Sequence, residues 1–548
     1  MTIESRRALP VRVVLGAFLV LTVGLGIRLV SRYRTSLPFN PDGFGFAARA
    51  DLIANGGSTA VFKGRPHDYV LPTLLGELQM LTGANSLVLA QPAIAIIGAV
   101  PCLLVFAFVR RVALQRGWQP THAFGLAALA GVALAMQGLY LRHSIWVHYE
   151  VLGLLFVVIV GLTGHWFFQS GHARWFLALA PTLTALPITH HLSSMMGALT
   201  LTALAVYHVT NEPDARTVLR ALAVGGLFWA YFGIYYVLTR PPFFGDLAAK
   251  PGLFVAWVII LGSLAVFLRK ASPTLQRLTF VVPLGVAFAV TAVNAVFDVF
   301  PGTASTHPRL LVYLGPLVVL AVLMVWGVPL AFDNHDIGPV VLALVLAPLA
   351  FVSFALTAGL SPEYNLFARR GQTFGHFTIT VVGVLSVGGF AWTADRHSVL
   401  KLGIPLCLLA AILVSTPLAF AGPPVLPYEP TVTDAEFESV TFAETHIEGA
   451  WTSDDKPTRV ARNYYDADAP RSAAIAWLQG GAVPACPTLV RDTWMTVGAQ
   501  AYPSDPIPVD VRILQKFSTT SQIIYDGGTT DNSQRFVIPE RAAETSQC

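Results

Sequence analysis

Residues 86–111 read SLVLAQPAIAIIGAVPCLLVFAFVRR. No charge interrupts them before Arg110 and Arg111, so a helix here shows apolar side chains all round for the ~20 residues that a bilayer core requires. Such a helix has no polar face to offer water, and the paired arginines mark where it leaves lipid. Comparable runs recur from Val11 to Ala421, which a secretory leader alone cannot explain.

Composition agrees. Of 548 residues, 54% are hydrophobic and 12% charged, with mean hydropathy +0.61, too little polar surface to coat a water-soluble body of this size. Spans are expected at 11–30, 85–109, 121–140, 150–168, 175–189, 192–208, 219–238, 252–268, 278–297, 309–331, 337–359, 375–393 and 399–420. The expected fold is thus a polytopic α-helical membrane protein of about thirteen spans over residues 1–420, with a long first outer loop at 31–84. Within that loop Tyr69–Leu81, which carries Glu77, is expected to lie along the interface.

With a cytoplasmic N-terminus, 14 Lys and Arg of residues 1–420 fall on inner loops and 12 on outer ones. Six of the outer twelve (Arg28, Arg32, Arg34, Arg49, Lys63, Arg65) sit in or beside the first loop, so the rest divide 14 against 6 and favour this orientation. The expected location is the plasma membrane, with residues 421–548 extracytoplasmic.

Residues 421–548 change character. A Pro-rich linker, AGPPVLPYEP, leads into mixed polar sequence with short β-like runs at Ser439–Phe442 and Arg512–Leu514 and a turn at Asp526-Gly527-Gly528. A soluble α+β domain is expected. It carries 17 acidic and 9 basic residues, against 26 basic and 14 acidic in the remainder. Cys102 and Cys407 read as apolar residues inside spans, whereas Cys486 and Cys548 lie where a disulfide is permitted. Zinc-type spacings, Walker loops, dinucleotide fingerprints and internal repeats are not evident, and no nucleic-acid partner is implied.

Ionisable groups at membrane depth cost about 2.5–3.5 kcal/mol each even on the mildest scale, so their clustering is informative. In this orientation Asp42, Asp51, His67, Asp68, Arg142, His143, His148, Glu150, His190, His191, Asp246, Asp298, His307, Arg309, Glu363, Arg369 and Arg370 all fall at outer helix ends or in outer loops. Loops are where charges ordinarily belong. Yet Arg142-His143, His190-His191 and Arg369-Arg370 stand close to apolar helix ends, and paired cations there suit an anion such as a head-group phosphate.

Asn40-Pro41-Asp42-Gly43-Phe44 after the first span, followed by FGFAARADLIANGG, resembles the first outer loop of the GT-C superfamily of membrane glycosyltransferases. The continuation PHDYVLPTLLGELQMLTGANSLVLAQPAIAIIGAVPCLLVFAFVRR is similar to that family's Pro-containing interfacial helix, Gly-containing turn, long second span and basic stop. Tyr140-Leu141-Arg142-His143-Ser144 through His148-Tyr149-Glu150 resembles the loop before the fourth span of oligosaccharyltransferase catalytic subunits, with His148 standing where the first acid would be. Their tryptophan-rich acceptor motif is replaced by Ala450-Trp451-Thr452-Ser453-Asp454-Asp455, which favours a general GT-C enzyme. Ile523-Ile524-Tyr525-Asp526-Gly527-Gly528 looks like the closing strand and turn of some archaeal members.

The resemblance implies inverting transfer of a sugar from a polyprenyl or dolichyl phosphate carrier to a lipid, glycan or protein acceptor on the outer face, for the cell envelope or for glycosylation. Asp42 would be the catalytic base, Arg309, Arg369 and Arg370 the lipid-phosphate clamp, and Arg142, Glu150, His190 and His191 the acceptor pocket. A divalent metal at His148 and Glu150 is an open alternative. The rival class is a secondary transporter or a flippase of lipid-linked sugars, for which inverted repeats and charges in Gly/Pro-broken helices at mid-span would be expected.

Overall fold

A computed structural model of the chain describes residues 11–33, 35–241, 244–303, 305–333, 337–393, 398–420, 429–501, 506–519, 521–529, 532–539 and 548. Of the described residues, 77% are helical. Among the described residues, ten helices are long and apolar enough to cross a bilayer, and two bent pairs raise the number to twelve if each is one span. The pairs are Pro120–Met136 with Gly138–Ile145, bent by 61°, and Pro308–Leu314 with Leu317–Phe332, bent by 44°. A polytopic helical body therefore stands as expected. The span expected at 175–189 corresponds to helix Ala173–Thr189, only 17 residues long, with Pro181 and Pro187 inside it and extended His190 after it. Each proline removes a backbone donor, which shortens the helix the sequence can sustain.

Exposure separates the packed helices from the bare ones. Ser86–Gln115, Glu150–Ser170, His191–Asn211 and Gly338–Ala358 are two-thirds or more buried among their neighbours, whereas Pro251–Lys270 and Pro273–Val293 are 17% and 11% buried. Apolar helices this bare cannot face water, and their satisfied backbones can face lipid. Cys102 is buried in this body, but Cys407, expected in the core, lies on its exposed face. Arg28, counted above with the loop cations, is instead a fully buried residue of helix Val11–Leu29. It donates to Gly24 O at 2.9 Å and Ser144 Oγ at 2.6 Å and lies over the Tyr140 ring.

The first loop folds as helices Asp42–Ala54, Ser58–Gly64 and Val70–Thr82. Its apolar face does not stop at the membrane body: Leu37, Phe44, Ala47 and Leu87 share a core with Val432, Val440, Trp451, Val460 and Phe536. Phe44 lies 5.2 Å from the Phe437 ring, and Asn463 Nδ2 donates to Pro41 O at 3.1 Å. The first loop and the C-terminal segment are thus one packed layer.

Beyond residue 428, helices Asp434–His446, Asp455–Tyr465 and Ser472–Leu478 cover a three-stranded antiparallel sheet. Strands β1 (Thr488–Arg491), β2 (Ser521–Thr529) and β3 (Asn532–Pro539) run in the order β1-β3-β2. Most of the Pro-rich linker lies outside the described residues. Ser439–Phe442 and Arg512–Leu514, expected as strand-like, lie in helices Asp434–His446 and Val511–Thr519. The first owes its helix to a reciprocal cap, Thr433 N to Glu436 Oε2 at 2.8 Å and Glu436 N to Thr433 Oγ1 at 3.2 Å, which outweighs local β propensity. Asp526–Gly528, expected as a turn, belongs to β2, paired with Arg535, Gln534 and Ser533 of β3. Cys486 and Cys548 are disulfide-bonded, their Cα atoms 5.2 Å apart.

Candidate functional site

Asn40-Pro41-Asp42-Gly43 is fixed from several sides. Buried Asn40 accepts from Val147 N at 2.8 Å, and Phe39 N donates to Gln91 Oε1 at 3.1 Å. A Cβ on Gly43 would stand 2.6 Å from Pro38 Cβ and 2.9 Å from Val147 Cβ, so only glycine admits this approach of the two loops. Asp42 follows as the first residue of helix Asp42–Ala54, where the free backbone N–H groups favour a carboxylate. Its side chain is 40% exposed and has Arg459 Nη1 of the C-terminal segment 3.8 Å away.

Facing it is the 143–150 segment. Glu150, 4% exposed, has His143 Nδ1 and His148 Nδ1 each 3.9 Å from its carboxylate. Behind it the break between Ala173–Thr189 and His191–Asn211 presents His190 and His191. Tyr149 lies 4.6 Å from the His190 ring, and His190 Nδ1 pairs with Ser193 Oγ at 2.7 Å. His67 joins from the first loop, 6.1 Å from the His191 ring. Arg49 closes that side, bonded to buried Asp68 at 2.7 Å and stacked over Phe46.

Electrostatics identify which sequence candidates share this space. Burial pushes the Tyr149 phenol up, and so do the carboxylates of Asp68, Glu150 and Asp42, while Arg370 pulls it down. One side chain thus lies in the fields of both Asp42 and Arg370. Burial holds the His148 imidazole well below its ordinary value, assisted by Arg370, His143, His191 and Arg49. His190 is held down in the same way, by burial first and then by His191, His148, Arg370 and His67.

Ring contacts and carboxylate distances bring together His143, His148, Tyr149, Glu150, His190 and His191, while the charges of Asp42 and Arg370 act on Tyr149 from further off. Arg142 lies over the Trp146 ring at the edge of the same segment. Arg369 is exposed on helix Pro362–Gly371 beside Arg370, and its charge reaches His143. Arg309 is exposed on helix Pro308–Leu314, which packs on the Ser398–Ser415 helix and the Thr416–Phe420 turn. Among the described residues, no three His, Cys, Asp or Glu side chains are placed to hold one metal ion.

Sequence reasoning missed two features. Arg459 is recognisable as i+4 to Asp455, 2.8 Å away, but nothing local says that it reaches Asp42. Asp51, grouped by sequence with the outer ionisable residues, accepts from Ser86 Oγ at 2.7 Å and Tyr464 Oη at 3.3 Å and so ties three segments together. The segment Trp451–Asp455 is also not an open recognition surface. It is buried, with Thr452 N bonded to Pro487 O, Ser453 Oγ to Leu489 O, and Asp454 to Arg491, Trp494 and Gln500. Comparison of the chain with protein-family models and with curated proteins finds no match.

Proposed function

We propose that the chain is a membrane glycosyltransferase of GT-C type, moving a sugar from a polyprenyl-phosphate carrier to an acceptor with inversion. The observation that supports this reading most is the packing of the Asp42 helix start, through Gly43, against Val147, beside Glu150 with His143 and His148 each 3.9 Å away, at the ends of apolar helices. Asp42 would take the proton of the attacking hydroxyl, and Arg370, with Arg369 beside it, would stabilise charge growing on the departing phosphate. Arg142, Glu150, His190 and His191 would line the acceptor side, where buried neutral imidazoles can donate to or accept from hydroxyls. Arg309, on a different helix, is the weakest member of the clamp.

Topology is part of the proposal. The first loop and the C-terminal segment touch, so an even number of crossings separates them. Eleven of the twelve candidate spans follow the first loop. Counting Ala173–Thr189 as a further crossing makes the number even and the total thirteen. We place the N-terminus in the cytoplasm and the C-terminal domain outside, where a Cys486–Cys548 disulfide persists.

Purified protein incubated with labelled polyprenyl-phosphate sugars and cell-envelope acceptors should give a labelled product with inverted anomeric configuration. Absence of transfer from every such carrier, together with vesicle uptake or lipid scrambling, would move the reading to transport.

A further inference from the structure

An open groove of ≈ 650 Å³ lies beside the site, between the first loop and the end of an outer helix. Phe62, Lys63, Arg65 and His67 form one wall, and Leu238 and Arg240 the other. It is held in shape: Tyr235 Oη donates to Pro66 O at 2.8 Å, Tyr69 N to Ile188 O at 2.9 Å, and Phe62 packs edge-on to Tyr69. Arg240 has φ +44°, in the left-handed region that a side-chain-bearing residue disfavours, so the turn opposing Lys63 and Arg65 is maintained against local preference.

Charge in the groove is not compensated from within. Asp68 stands 4.0 Å from Arg65 but is engaged by Arg49 at 2.7 Å. Among the described residues no ion pair engages Lys63 or Arg240. Arg240 directly follows the candidate span Ala215–Thr239, which sets the cations at head-group level on whichever side that end faces. Below them Leu227, Tyr231, Ile234 and Leu238 recur at helical spacing and are all exposed, with Leu238 at 77%.

We propose that this groove binds an anionic phospholipid, its phosphate among Lys63, Arg65 and Arg240 and its acyl chains along Leu227, Ile234 and Leu238. The exposed apolar shoulder selects a lipid over free phosphate, because inorganic phosphate could use only the cations. The groove borders the candidate site at His67, but its phosphate cations are Lys63, Arg65 and Arg240 rather than Arg370, and the proposal does not depend on the transfer reading.

Delipidated full-length protein, mixed with phosphatidylglycerol, phosphatidylcholine or both, is read by native mass spectrometry for retained lipid. Wild type should retain phosphatidylglycerol about a hundred-fold over phosphatidylcholine, and Lys63→Gln/Arg65→Gln/Arg240→Gln should abolish the preference, at roughly five-fold per cation. Should the triple variant misfold, exposed Lys63→Gln alone should give its own five-fold share, and Arg240→Lys should keep the preference. Arg110→Gln/Arg111→Gln, at the other end of helix Ser86–Gln115, should leave it unchanged. Equal retention of both lipids by wild type, or unchanged retention in the triple variant, overturns the proposal. So does an equal loss in the Arg110/Arg111 variant, displacement by millimolar inorganic phosphate, or binding of polyprenyl phosphate with none of phosphatidylglycerol.

Discussion

Asp42 and Asp51 lie on one helix and differ in their partners, which turns two similar substitutions into opposite tests. Asp42 is partly open and has a cation at 3.8 Å, so Asp42→Asn keeps the shape and should lower sugar transfer by about 10²-fold or more with carrier binding retained. Asp51 is bonded to Ser86 and Tyr464, so Asp51→Asn should lower thermal stability in detergent by about 1–3 kcal/mol while transfer per folded molecule persists. Transfer that survives Asp42→Asn and vanishes in Asp51→Asn would show that the base is the other carboxylate. His148 and His190 carry a second prediction. Both are held neutral in the folded protein, while in the unfolded chain each takes a proton near pH 6.5. Stability is therefore fully present above about pH 6.5 and should fall as pH drops below it, by on the order of 1 kcal/mol per pH unit for each histidine. Melting curves from pH 7.5 to 5.5 should show a slope reduced in His148→Gln and in His190→Gln; an unchanged slope in both would contradict the assignment.

At the scale of elements, helix Glu150–Ser170 meets helix His191–Asn211 at a glycine. A Cβ on Gly153 would lie 2.5 Å from Ser193 Cβ and 3.5 Å from His190 Nδ1. Neither helix can yield locally, so Gly153→Ala should cost about 1–3 kcal/mol and impair transfer by displacing His190, measurable as a lower Tm together with lost activity. A variant with full activity and wild-type Tm would mean that the helices separate freely. The helices themselves were legible because an apolar run of spanning length is a local property of sequence, as in 86–109. Their breaks were less so. The bend after Met136 carries Arg142 and His143 onto a short helix where a hairpin loop was expected, since the sequence shows no charge or proline there to announce it. Ser439–Phe442 differs for the opposite reason: its β-branched residues favour a strand locally, and the Thr433–Glu436 cap six residues upstream overrides them. Of the candidate site, the polar residues near helix ends were legible as a set, and Glu150 does lie within 3.9 Å of His143 and His148. Arg459 was not, because its contact with Asp42 spans most of the chain.

The whole molecule is organised around the contact between the first loop and the C-terminal segment. Within that segment buried Glu436 joins Lys456 at 3.0 Å and Arg491 at 2.5 Å. Burial opposes its ionisation, but the two cations win and hold it down at about 2. Glu436→Gln removes the charge that both cations share, leaving Arg491 to Asp454 at 3.1 Å and Lys456 to Glu429 at 3.6 Å, and should destabilise this segment by about 1–3 kcal/mol, read as earlier loss of its near-ultraviolet signal on heating. The Cys486–Cys548 bond closes a separation of 62 residues, so reduction should cost about 4 kcal/mol on chain-entropy grounds and raise protease sensitivity within 430–539. Cleavage there from the cytoplasmic side of sealed vesicles would overturn the proposed orientation. The same contact also sets a schedule for biogenesis. Thr35 is bonded to Asp434, 399 residues later, and Pro41 to Asn463, 422 residues later. At ~5–20 residues per second of synthesis, Phe44 and its neighbours leave the ribosome roughly 20–80 s before anything exists to cover them. During that interval the nascent first loop must rest on lipid or on a chaperone, and a ribosome stalled between residues 84 and 430 would leave behind a membrane stub with an unshielded aromatic patch, a ready substrate for quality-control proteases.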